Sequence, residues 1–112
     1  LYRDWLIRTC DNTLGANPMG LSYITGLGTR TVRCPLHNSR YRAEGVPVPG
    51  LQVQGPLAAG DGYSYRDSVY PEHQNNAAML HSFSDLHFAI AMDEPTVNNM
   101  ANTALVFGLL VK

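Results

Sequence analysis

The sequence predicts an all-α fold class, with two main helices near the ends of the chain joined by long loops. Three features predict it: apolar residues recur at helical spacing near the N-terminus and again near the C-terminus, and most of the ten glycines and seven prolines lie between. Leu1, Trp5, Leu6, Cys10 and Leu14 fall along one side of a helix over residues 1–14, and Gly15 is suited to end it. Val97, Met100, Ala101, Ala104, Leu105 and Gly108 define the second helix. Pro95 suits its first turn, where a missing N–H costs nothing. A shorter helix around Asn76 to His87 is a further candidate.

The interval from Ala16 to about Asn75 contains only short apolar pieces, such as Leu21 to Ile24 and Val46 to Val53. Compact domains rarely hold so much connection, because unpaired backbone must stay near water and ordering it costs entropy. Two helices also offer too little apolar surface to fix it. Residues 1–112 are therefore expected to be a fragment of one larger helical domain, whose other helices supply the missing walls.

Composition narrows the classes of function. The 112 residues are 45% hydrophobic and 15% charged, which describes a folded, soluble chain. The net charge of -1 is scattered without blocks, so neither nucleic acid nor an anionic membrane is an expected partner. No apolar run approaches the roughly 20 residues of a bilayer span, and no signal-peptide core follows Arg3 and Asp4. Cys10 and Cys34 lie outside any CxxC pair and read as separate buried thiols in preference to one disulfide.

Three clusters carry candidate chemistry. The first, Asp85 to Thr96, places Asp85, His87, Asp93 and Glu94 among apolar neighbours. A carboxyl group in a partly dry site, beside a second carboxylate, is pushed toward its protonated form and can donate a proton near neutral pH. The plain alternative is that Asp93 or Glu94 caps the helix starting at Pro95. The helix dipole favours the ionised form, so an acid there requires burial or carboxylate neighbours. The second cluster runs from Asn17 to Gly28 and on through Pro35-Leu36-His37 to Arg40 and Arg42, with Gly26 and Gly28 allowing tight turns that present His37 and Arg40 to a cleft. The third is Tyr63, Tyr65 and Tyr70, aromatics that could stack on sugar rings or pack the loop itself.

Other motifs fail on spacing. Gly26-Leu27-Gly28 lacks the third glycine of a dinucleotide loop and the lysine of a phosphate loop, and Gly20-Leu21-Ser22 lacks the closing glycine of a nucleophile elbow. Glu72, His73, His81 and His87 match no metal-ligand spacing, so neither a metal nor another cofactor is expected.

Taken in order, these clusters resemble the carboxyl-terminal region of glycoside hydrolase family 9, mostly cellulases with an (α/α)6 barrel. Asn17 to Gly28 is similar to the stretch before the family's histidine loop, and Val46 to Pro56 to the segment after it. Asp85, Glu94 and Thr96 fit the family's spacing of an aspartate nine positions before a catalytic glutamate, with Ser, Thr or Ala two positions beyond it. The resemblance implies inverting hydrolysis of β-1,4-glycosidic bonds in cellulose or a related β-glucan, with Glu94 as general acid. Asp85 would position groups and tune Glu94, and His37 and Arg40 would hydrogen-bond the sugar. The base would come from aspartates near the N-terminus of the domain, since no Asp-Ala-Gly-Asp-like segment is present. The remainder of the catalytic domain is thus an expected partner, and secretion is implied by the resemblance alone.

Departures from the pattern are specific. Pro35-Leu36-His37-Asn38 stands for the usual Pro-His-His-Arg, so strict alignment puts Leu36 on the active-site histidine. Asp93 stands where asparagine is common, Ile90 where an aromatic is, and Met100 where a later asparagine is. A branch acting on other oligosaccharides, or a carbohydrate-binding or scaffold descendant without catalysis, fits these changes as alternatives.

Overall fold

The computed structural model describes residues 1–37, 47–56, 83–86 and 89–111. Helix α1 spans Tyr2–Thr13, a four-residue helix α2 spans Ile90–Asp93, and α3 spans Val97–Gly108. Both predicted terminal helices are present. The shorter candidate around Asn76 to His87 falls largely outside the described residues, and residues 83–86 are not helical.

The helix ends differ in detail from expectation. Leu14 is the C-cap of α1. Gly15 lies one residue beyond it at φ +121°, in backbone space that a side chain disfavours. Helix α3 begins at Val97, not at Pro95, because Thr96 is its cap: the Thr96 side chain accepts the Asn99 N–H at 3.2 Å. Neither Asp93 nor Glu94 caps this helix.

Helices α1 and α3 contact each other, yet their apolar stripes remain largely uncovered within these residues. Trp5 is 64% exposed and Leu105 61%, and Cys10 is the one buried residue of α1. The buried core lies instead in the connecting segments and α2. Leu21, Tyr23, Val32, Val53, Phe83, Ala89 and Met92 form one cluster.

The axis of that core is residues 21–25, all buried. Ser22 forms a parallel bridge with Thr31 on one side, and Ile24 an antiparallel bridge with Gln52 on the other. The Ser22 N–H donates to the Arg30 carbonyl at 2.8 Å, and the Val53 N–H to the Tyr23 carbonyl at 3.0 Å. Buried backbone polar groups require partners, and these bridges supply them without regular strands. Asn17 joins this strip to α1, its Nδ2 donating to the carbonyls of Asn12 and Leu21, each at 2.7 Å. Helix α2 then closes over it: the Gly55 N–H donates to the Met92 carbonyl at 3.0 Å, and the Ser84 N–H to Met92 Sδ at 3.3 Å. Among the described residues no helix is long and apolar enough to cross a membrane.

Candidate active site

Two carboxyl groups organise the corner where residues 33–37, 84–86 and α2 meet. Asp85 accepts the Arg33 N–H at 2.9 Å on Oδ2 and 3.1 Å on Oδ1, and the Cys34 N–H at 2.8 Å on Oδ1. A carboxylate accepting backbone N–H groups makes stronger bonds than a neutral acceptor. Asp85 thus clamps the start of the histidine-bearing loop.

Asp93 is completely buried at the end of α2. Its Oδ2 accepts the Leu86 N–H at 2.7 Å and its carbonyl accepts the Leu36 N–H at 2.8 Å. Its own N–H donates to the Ala89 carbonyl at 2.9 Å. Among the described residues Oδ1 has no hydrogen-bond partner. Burial pushes the Asp93 carboxyl up to about 8, the nearby Asp85 charge adds to the shift, and the Leu86 hydrogen bond opposes it.

Glu94 follows directly. It is half-buried in extended backbone at φ -76° and ψ 118°, between α2 and the Thr96 cap, and its N–H donates to the Ile90 carbonyl at 3.2 Å. His37 is also half-buried, with Nδ1 buried and without a partner among the described residues. Its N–H donates to the Pro35 carbonyl at 2.7 Å. Asp85 precedes Leu86, Glu94 follows Asp93, and His37 follows Leu36. All three candidate catalytic residues therefore lie one position away from a residue in the Asp93 hydrogen bonds.

Arg40, Tyr63, Tyr65 and Tyr70, the candidate sugar contacts, lie outside the described residues, as do His87 and the histidines and glutamate dismissed as metal ligands. Among the described residues no group of three or more His, Cys, Asp or Glu side chains could hold a metal ion. Cys10 is buried and Cys34 half-buried, both as free thiols. A cleft of about 450 Å³ opens beside Asp85, with Arg30, Arg33 and Phe83 in its wall. From sequence, Asp93 carries only the role of a helix cap or of an acidic neighbour. The signal for more was an acidic residue ending the apolar run Ala89-Ile90-Ala91-Met92, a position facing the core if the run is helical.

A half-buried glutamate beside a buried acid, with a second carboxylate fixed close by, suits acid–base chemistry carried by carboxyl groups. The chain belongs to glycosyl hydrolase family 9, whose model matches residues 1–107. It is 30% identical over 105 residues to a xyloglucan-specific endo-β-1,4-glucanase of Bacteroides ovatus, an alignment covering 91% of this chain and 16% of that protein. It is also similar to the crystal structure of a metagenome-derived family 9 endoglucanase, at a TM-score of 0.70 and 32% identity, covering 95% of this chain and 17% of the other. The chain thus spans less than a fifth of the length of these relatives.

Proposed function

We propose that this segment is the carboxyl-terminal part of an (α/α)6-barrel catalytic domain that hydrolyses β-1,4-glycosidic bonds in cellulose or a related β-glucan by inversion. Glu94 is the general acid that protonates the departing glycosidic oxygen, and the base that activates water lies outside residues 1–112. The observation that supports this reading is the convergence of Asp85, Glu94 and His37 around the Asp93 hydrogen bonds, within a chain whose family cleaves glycosides. Asp85 fixes the histidine loop, and His37, with Arg40, Tyr63, Tyr65 and Tyr70, contacts the sugar. The relative specific for xyloglucan makes that branched β-glucan one of the substrates to test. Without the base, residues 1–112 alone do not turn substrate over.

The deciding experiment compares the full-length protein carrying this segment with its Glu94→Gln variant, on soluble cellulose derivatives and on xyloglucan. The variant is expected to lose a factor of roughly a hundred or more on substrates with poor leaving groups, and less on activated aryl glycosides. Equal activity in the two proteins would remove Glu94 from the acid role. The second reading, a carbohydrate-binding descendant without catalysis, is favoured by Leu36 at the usual histidine position. It predicts binding without product formation, so steady turnover by the full-length protein excludes it.

A further inference from the structure

We propose that Asp93 is the positioning residue that holds Asp85, Glu94 and His37 in one array, and that it does so as the neutral acid. The inference deepens the glycosidase reading and rests on it for its kinetic arm only.

The geometry comes first. One buried residue uses three of its polar atoms to join three segments: Oδ2 to Leu86, the carbonyl oxygen to Leu36, and the amide to Ala89 within the turn of α2. Each bond ends one residue from a candidate catalytic side chain or fixes the helix that presents one. Displacing Asp93 would therefore move all three candidates relative to one another.

The protonation state follows from the surroundings. Oδ1 is buried without a partner among the described residues, and an ionised oxygen there would be a bare charge in a dry site. The charged and titratable groups packed nearby, among the described residues, are Asp85 and the Cys34 thiol, with Glu94 next in the chain and His37 beyond Leu36. Arg33 is exposed, its N–H bound to Asp85. Asp85 repels a second negative charge, and among the described residues no buried cation offsets it. As the neutral acid Asp93 still offers Oδ2 to Leu86.

The folded acid keeps its proton up to about 8, whereas the ordinary value is 3.8. Between these values the folded state holds more protons than the unfolded one, so Asp93 makes stability fall as pH rises through that window. Asp93→Asn removes this dependence while preserving an acceptor for Leu86.

The test uses the full-length protein and two readouts. Thermal unfolding is measured from about pH 5 to about pH 9 for wild type and Asp93→Asn, and kcat/KM on a soluble β-glucan over the same range. The melting temperature of wild type should fall more steeply than that of Asp93→Asn, and the ratio of kcat/KM for Asp93→Asn to that of wild type, in which the limb set by Glu94 cancels, should rise severalfold between about pH 7 and about pH 9. Asp93→Leu, which offers Leu86 no acceptor, should lower kcat/KM by roughly tenfold or more at every pH. Parallel melting curves for wild type and Asp93→Asn, or a kcat/KM ratio that stays constant over this range in an active variant, would overturn the proposal. If the wild type hydrolyses no glucan, the glycosidase reading fails, and the melting curves still decide the state of Asp93.

Discussion

Asp85 accepts the backbone N–H of Cys34 at 2.8 Å, and this bond joins residues 51 positions apart in sequence. With the two contacts from Arg33 it uses the carboxylate as a clamp on the histidine-bearing loop. Asp85→Ala should leave these N–H groups without acceptors and destabilise the full-length protein by about 2–4 kcal/mol. Asp85→Asn, which keeps one acceptor oxygen, should lose less. Urea unfolding of the three proteins checks the order, and an alanine variant as stable as wild type would contradict the clamp.

Thr25 performs a similar task with a neutral side chain. It is completely buried, its Oγ1 donates to the Val48 carbonyl at 2.5 Å and accepts the Leu51 N–H at 2.9 Å. Thr25→Val keeps the shape and removes both bonds. The expected loss is about 1–3 kcal/mol, read as a lower unfolding midpoint, whereas Thr25→Ser should retain most of the stability.

Gly28 lies at φ +90°, and a Cβ there would sit 3.2 Å from Ser22 Cβ and 3.3 Å from the Leu14 carbonyl oxygen. The backbone conformation and the close approach both disfavour a side chain. Gly28→Ala is expected to cost about 1–3 kcal/mol. Gly20→Ala has positive φ at +58° but open space around it, so it should cost less. Thermal melts of the pair separate the two contributions.

Burial pushes the Cys34 thiol up, Asp85 and Asp93 raise it further, and Arg33 opposes them. Less thiolate is present at a given pH than for a free thiol, and the thiolate is the reacting form. Alkylation of Cys34 by iodoacetamide at about pH 8, followed by peptide mass analysis, should be several-fold slower than for a free cysteine. An equal rate would mean that the loop does not shield it.

The helices and the family motifs were legible in the sequence because both are local. Helical spacing from Val97 to Gly108 needs only neighbours three and four residues away, and the Asp85 to Glu94 interval is a count along the chain. The exact start of α3 was not legible, since Pro95 and Thr96 both carry an N-terminal signal and only the Thr96 bond to Asn99 decides between them. Within the described residues the buried core joins Leu21, Tyr23, Val32 and Val53 of the loop region to Phe83, Ala89 and Met92, while α1 and α3 expose their stripes; no sign of this pairing was legible in the sequence because it depends on segments distant in the chain.

By itself the sequence determined the terminal helices, the family and the identity of the candidate acid, all of which depend on residue type and short spacing. The tertiary structure decided which segments meet. Bridges from residues 21–25 to 31 and 52, the Asp85 clamp on Arg33 and Cys34, and the complete burial of Asp93 all join residues distant in sequence. An aspartate written next to a glutamate is an ordinary pair of charges on paper. It becomes a neutral hub only when folding removes its water and leaves one of its oxygens without a partner.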